Sequence, residues 1–258
     1  MSMNAEVLTV GNELLNGHTT NTNATHIARR LTSMGFVVRR ITAVMDEVEE
    51  IASVVKEVLA RSPALLVVSG GLGPTYDDRT AEGIALGLGR GLVENSDALD
   101  QIRSKYGEIE VTPARRKMAF MPEGAVPVPN DAGVAPGIYL RIGHTEILAT
   151  PGVPREMESV LENFLNRYLV KRPSVVYAER SFKARGIMES VLAPHVISRV
   201  KKYNLYIKTH PKGREVGDPY LEVQIAGSSP DREELLNRLE SCEKELREIV
   251  AKMGGIVE

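Results

Sequence analysis

Along the N-terminal part of the chain, short apolar runs alternate with segments whose apolar residues recur every three to four positions. Residues 5–10 form a short, mostly apolar run, the pattern of a buried strand. Over residues 21–34, Ala24, Ile27, Ala28, Leu31 and Met34 keep helical spacing, and Gly35 stands where a helix closes. Residues 36–43 are β-branched and alternating, the pattern of a strand. Over 46–60 the residues Val48, Ile51, Val54, Val55, Val58 and Leu59 share one helical side, with Asp46 placed to cap it. Residues 64–68 predict another buried strand and 81–88 a helix. Strand and helix alternating in this way predict a mostly parallel sheet with helices on both faces, a three-layer α/β domain. Such sheets bind ligands at the carboxyl ends of their strands.

Further on, residues 95–106 and 113–120 predict short helices. Residues 125–128 and 137–142 predict strands, 144–149 a hairpin partner after Gly143, and 150–157 a turn feeding a helix that runs to about residue 170. Lys171-Arg172-Pro173 reads as a junction. Beyond it the order is strand (174–183), helix (188–203), strand (205–209), strand (220–226) and long helix (231–253), the last with Leu235, Leu236, Leu239 and Leu246 as its apolar stripe. The expected organisation is a large domain over 1–171 and a smaller α+β domain over 172–258.

Composition narrows the function. The 258 residues carry 32 Lys and Arg against 34 Asp and Glu, a net charge of −2, so no overall basic field draws nucleic acid. One cysteine, Cys242, excludes an intramolecular disulfide and a multi-cysteine metal site. No apolar run approaches the ~20 residues of a membrane span. The N-terminus lacks the basic region of a signal peptide, and a cytoplasmic protein is expected. His18, His26, His144, His195 and His210 show no metal-ligand spacing.

The stretch richest in chemistry is residues 69–80, SGGLGPTYDDRT, between a predicted strand and a predicted helix. Glycines there let backbone N–H groups approach an anion, and a helix N-terminus adds positive potential. The string lacks the lysine of a P-loop and the G-x-G-x-x-G spacing. Asp77 and Asp78 have two possible roles: capping the following helix, or holding a divalent cation beside a bound phosphate.

The full string SGGLGPTYDDRTAEG resembles the central motif of the CinA family and, more distantly, molybdenum-cofactor biosynthesis domains that bind molybdopterin. The resemblance extends over Gly11-Asn12-Glu13-Leu14-Leu15, Gly17 and Asn21-Thr22-Asn23, with Asn12 where the family commonly has Asp. It continues through residues 116–119 and 121–125, Pro129-Asn130, Gly133, residues 135–137 and residues 151–157, and reaches Gly186-Ile187-Met188-Glu189-Ser190. It implies a molybdopterin-binding-type fold and metal-dependent hydrolysis of ADP-ribose or a related nucleotide diphosphate. The alternative is a non-hydrolytic pterin or nucleotide binder. Longer members carry a C-terminal amidase for nicotinamide mononucleotide; that activity is not expected of these 258 residues. A homodimer is expected from the resemblance, and no tightly bound organic cofactor.

On this resemblance Gly70, Gly71 and Gly73 would present N–H groups to phosphate, with Thr75, Thr80 and Asn23 as further ligand contacts. Asp77, Asp78 and Glu13 would hold Mg²⁺, Mn²⁺ or Co²⁺, with K⁺ as a second ion to consider. Asp78 and Glu13 are the candidate catalytic acids, Glu13 as the base that activates water; as an unassisted reading, Glu13 is a solvated loop acid. Asp46 could reach the same edge, but a helix cap explains it as well. Arg116 and Lys117 would neutralise phosphate charge, or form an ordinary solvated face. Asn130 and the 133–137 turn would meet a ribose or base, and Gly152 with Glu156 would close the groove.

Overall fold

The structure, a computed structural model, describes residues 3–258. One compact unit comprises residues 3–32 and 36–172; the second comprises 173–258 together with 33–35. The larger unit begins with β1 (Met3–Val10), α1 (Asn12–Leu15), α2 (Thr22–Ser33), β2 (Phe36–Val44), α3 (Val48–Arg61), β3 (Leu65–Ser69) and α4 (Thr80–Leu88). It continues with β4 (Leu92–Glu94), α5 (Ser96–Tyr106), α6 (Pro113–Lys117), β5 (Phe120–Pro122), β6 (Val126–Val128), β7 (Gly137–Ile142), β8 (Thr145–Thr150) and α7 (Pro154–Arg167).

The main sheet runs β2-β1-β3-β8-β7-β6. The pairings β2–β1, β1–β3 and β3–β8 are parallel; β8–β7 and β7–β6 are antiparallel. All five residues of β3 are buried, as a central parallel strand covered on both faces requires. Leu8, Val10, Leu66, Val68 and Ile147 share a core with Ile51 and Val55 of α3 and Ile84 of α4. Alternate residues Val7, Leu65, Val67 and Leu148 are buried on the opposite face, where α7 packs on β8. Gly83 and Gly87 of α4 let it approach α3, since an added Cβ would lie 2.5 Å from Ile51 and 2.9 Å from Val55.

Two short strands, β4 and β5, pair antiparallel where the pattern predicted none, and Phe120 belongs to β5 rather than to a helix. The cap of α3 also differs: Glu47 occupies the N-cap with no side-chain bond, and Asp46 points elsewhere. Likewise Arg79 is the N-cap residue of α4, so neither Asp77 nor Asp78 caps that helix.

The smaller unit holds β9 (Val176–Arg185), α8 (Glu189–Tyr203), β10 (Tyr206–Pro211), β11 (Tyr220–Ser229), α9 (Arg232–Lys252) and β12 (Ile256–Val257). Its antiparallel sheet runs β10-β11-β9-β12, so the βαββαβ order is that of a ferredoxin-like unit. Asp231 caps α9 by accepting from the N–H groups of Glu233 and Glu234. Leu235, Leu239, Cys242, Leu246 and Val250 form its buried stripe, whereas Leu236 is 41% exposed, one residue off that line. Burial pushes the Cys242 thiol up to about 11, which makes it inert. Among the described residues, no helix is long and apolar enough to cross a membrane.

The parallel strands β1, β2, β3 and β8 all end on one edge. The chain turns from β1 outward to β2 and then crosses to β3 on the other side, which makes the β1/β3 pair a topological switch point. Gly70 leaves β3 at φ +110°, and a Cβ there would lie 2.2 Å from the Val10 carbonyl oxygen. Gly152, after β8, has only the Gly70 Cα at 3.4 Å. Gly70→Ala is therefore expected to destabilise the protein by about 2 kcal/mol or more, from left-handed strain plus a backbone clash. Gly152→Ala should stay within about 0.5 kcal/mol of the parent. Urea unfolding of both variants checks this, and equal stabilities would refute the crossing as a constraint.

Candidate functional site

The loops that follow the four parallel strands enclose a cavity of about 520 Å³, within the range of small-molecule sites. Gly11 and Glu13 come from the connection after β1, Asp46 from the loop after β2, Gly70, Gly71, Gly73, Pro74, Thr75, Asp77 and Asp78 from the loop after β3, and Pro151 and Gly152 from the loop after β8. Gly133 and Glu156 complete the acidic part of the wall, and Tyr106, Met118, Val134 and Ala135 form an apolar part.

Three of its carboxylates rest on glycines. A Cβ on Gly11 would lie 2.5 Å from Glu13 Oε1, one on Gly73 2.6 Å from Asp78 Oδ2, and one on Gly133 2.2 Å from Glu156 Oε2. Each acid thus folds back over backbone that any larger residue would block. Asn130, buried, holds Glu156 in place: its Nδ2 donates to Glu156 Oε2 at 2.6 Å and to the Ala135 carbonyl at 2.9 Å. It acts through Glu156 and does not itself line the cavity.

The loop acids are organised by Thr75. Its N–H donates to Asp78 Oδ2 at 2.8 Å, and its hydroxyl stands 2.5 Å from both Asp77 Oδ1 and Asp78 Oδ2. One hydroxyl carries one proton and donates to one carboxylate at a time. The other carboxylate then meets it lone pair to lone pair, unless a proton or cation lies between. Lys117 Nζ donates to the Thr75 carbonyl and lines not the cavity but a smaller recess that shares Gly71, Gly73 and Asp78 with it.

Residues 6–171 match the family profile described as "Probable molybdopterin binding domain". The chain belongs to the molybdopterin-binding domain family. The solved structure of the CinA protein from Thermoplasma acidophilum is 46% identical with a TM-score of 0.60, over 63% of this chain and 97% of that one. A protein of Metallosphaera sedula is 60% identical over 262 residues, 100% of this chain and 98% of the relative. One from Sulfolobus acidocaldarius is 56% identical over 256 residues, 98% and 97% of the two chains. The larger unit is thus a CinA-like molybdopterin-binding domain, joined to a smaller antiparallel unit.

Several residues expected to touch a ligand make contacts within the molybdopterin-binding domain. Thr80 is fully buried; its hydroxyl donates to the Gly70 carbonyl at 2.8 Å and its N–H to the Gly71 carbonyl at 3.1 Å. The Gly70 N–H donates to Thr150 at 3.0 Å, bridging β3 to β8, and so is already engaged. Asn23 Nδ2 donates to Ser69 Oγ at 3.0 Å and to the Gly152 carbonyl at 2.8 Å, beside a recess of about 100 Å³ next to the cavity. Arg116 forms a bidentate ion pair with Glu94 and does not line the cavity. Gly70, Gly71, Gly73, Thr75, Asp77, Asp78, Glu13, Gly152 and Glu156 do line it. Among the described residues, no three His, Cys, Asp or Glu side chains converge closely enough to hold a metal ion by themselves, so Glu13, Asp77 and Asp78 do not form a closed ligand set.

Asp46 had a helix cap as its simplest reading. Its Oδ2 instead accepts from the Asn12 N–H at 2.8 Å, across the mouth of the first loop. Burial raises its pKa above the ordinary carboxylate value; the Asn12 N–H opposes the shift, and the charges of Glu13, Asp77 and Asp78 add to it. Asp77 moves the other way, lowered by the Thr75 hydroxyl first, then by its own N–H and the Lys117 charge. Replacing both Asp77 and Asp78 by Asn removes two of the charges acting on Asp46 and should lower its pKa. A ¹³C-detected titration of the Asp46 carboxyl reads this directly; an unmoved titration would mean the loop acids and Asp46 do not share one field.

Proposed function

We propose that the cavity binds a nucleotide or pterin whose phosphate chain carries a divalent cation, and that it hydrolyses ADP-ribose or a related nucleoside diphosphate. The observation that carries this reading is the charge of the walls. Glu13, Asp46, Asp77, Asp78 and Glu156 line the cavity, and no Lys, Arg or His does. A bare phosphate chain would be repelled there; one that arrives with Mg²⁺, Mn²⁺ or Co²⁺ would not.

The donor chemistry suits such an ion. All the candidate donors are oxygens, which hard cations prefer, and Mg²⁺ is commonly held by one or two carboxylates plus substrate phosphate oxygens. Asp77 and Asp78 would be those carboxylates, and an ion near Thr75 would relieve the crowding of two acids on one hydroxyl. When bound, the ion would neutralise phosphate charge and acidify a water. Glu13, held over Gly11, would take the proton as that water's oxygen joins one phosphorus and the bridging oxygen leaves with the other. AMP and ribose 5-phosphate would result. Gly71 and Gly73 would place backbone against the phosphates, and Glu156, steadied by Asn130, would bound the far side.

The hydrogen bonds that Thr75 already gives Asp77 and Asp78 support a second reading, a binder that holds the same ligand without activating water.

The test uses protein stripped with EDTA, incubated with ADP-ribose and K⁺, with and without Mg²⁺, Mn²⁺ or Co²⁺, following AMP. The expected result is metal-dependent AMP release that falls about 10²- to 10⁴-fold in Glu13→Gln, the scale of a lost general base, with ADP-ribose binding retained. Asp78→Asn, which preserves the shape of the loop, should raise the metal concentration needed. No AMP with any of these ions, while ADP-ribose still binds the stripped protein, would replace hydrolysis by the binding reading.

A further inference from the structure

The cavity lining is of two kinds, and the carboxylates account for only one of them. Tyr106, Met118, Val134 and Ala135 give it apolar surface as well. Apolar surface kept open to solvent costs free energy, and a cavity that retains it suits a ligand with an apolar, planar part.

Tyr106 is the aromatic member of that surface. It is the last residue of α5, followed by Gly107 at φ +60° where the helix ends. The guanidinium carbon of Arg115 lies 4.2 Å from the centroid of its ring and covers one face. Arg115 is itself anchored, its Nη1 donating to the Glu110 carbonyl at 2.6 Å, on α6 capped by Thr112. Arg115 does not line the cavity, whereas Tyr106 does. The arginine thus covers one face of the ring and holds the side chain, which contributes to the cavity lining. Met118 belongs to the same lining, and its thioether suits contact with a second aromatic ring.

We propose that Tyr106 is the ring platform of this cavity, selecting phosphate compounds that carry a purine or pterin ring over those that carry phosphate alone. The inference rests on the nucleotide-or-pterin reading and adds to it the residue that reads the ring. Stacking a heteroaromatic ring on an aromatic side chain tolerates either ring system, because both present a π-face. The phosphate chain would then extend from the apolar surface towards Asp77 and Asp78.

Isothermal titration calorimetry with Mg²⁺ present tests this on the wild-type chain, Tyr106→Leu and Tyr106→Phe. The probes are the α,β-methylene analogue of ADP-ribose, which lacks the bridging oxygen that hydrolysis cleaves, 7,8-dihydroneopterin triphosphate and inorganic pyrophosphate, which has no ring. Leucine keeps apolar bulk where Tyr106 packs against the core, and unchanged pyrophosphate binding reports that the cavity is intact. Tyr106→Leu should bind a ring-bearing probe about tenfold or more weakly, bind pyrophosphate as the wild type does, and be rescued by Tyr106→Phe. Whichever ring-bearing probe is weakened identifies the ring as purine or pterin. Unchanged affinity for the ring-bearing probes, or an equal loss for pyrophosphate, would overturn the role of Tyr106. A wild-type protein that binds pyrophosphate but neither ring-bearing probe overturns it as well. A wild-type protein that binds none of the three overturns the nucleotide-or-pterin reading and this inference with it.

Discussion

The contact on which the rest of the site depends is the crossing of Gly70 over the end of β1. The chain leaves β3 there with a bare Cα facing the Val10 carbonyl, where a Cβ would come to 2.2 Å. The same residue donates its N–H to Thr150 at the end of β8 and accepts the Thr80 hydroxyl from the first turn of α4. One glycine thus couples three strand ends and the start of a helix. Parallel strands place their carboxyl ends on one edge, and the switch of connection between β1 and β3 opens a crevice between the loops that follow them. The position of the acidic loop relative to Glu13 and Gly152 follows from that crossing.

The glycines around the cavity are better explained by the space they leave than by the N–H groups they offer. Gly70 has already spent its N–H on the sheet. Gly11, Gly73 and Gly133 each provide the gap into which a carboxylate folds. In a P-loop the glycines bring backbone donors to phosphate and a lysine completes the charge. Here the acids approach the backbone and no lysine enters. The two loops look alike as strings of glycine between a strand and a helix, yet they prepare opposite electrostatic surfaces.

This difference also sets what could be read from the chain alone. The strand–helix alternation, the carboxyl edge and the glycine loop are local patterns, and period and turn chemistry carry them well. Asn95 and Asp231, the first residues of two predicted helices, cap α5 and α9. Asp46 does not, because its partner is the N–H of Asn12, brought near only when β1 and β2 pair. Thr80 stands in the motif among candidate ligand contacts, but folding turns its hydroxyl inward to the Gly70 carbonyl. Arg116 finds Glu94 through the β4–β5 pair, which is too short to leave a periodic signal. Tyr106 and Met118 read as ordinary helix and core residues. The one hint, an aromatic placed just before a helix-ending glycine, has no chemistry until Arg115 is seen over one face of the ring.

The two kinds of lining make opposite demands on a ligand, and together they are more selective than either alone. Free phosphate meets the field of Glu13, Asp77 and Asp78, while a neutral ring gains the apolar surface but nothing from the acids. On the proposed reading, a ring joined to a phosphate chain satisfies both only when a cation accompanies it. Binding of cation and ligand is then linked, each raising the affinity for the other by the same factor, as reciprocity requires. Asp46 is part of that linkage: burial raises its pKa and the charges of Asp77 and Asp78 add to the shift, so a cation beside those two acids would lower it. The excess of carboxylates, which on its own makes this a poor phosphate site, is what would make the site answer to the cation and the ligand as a pair.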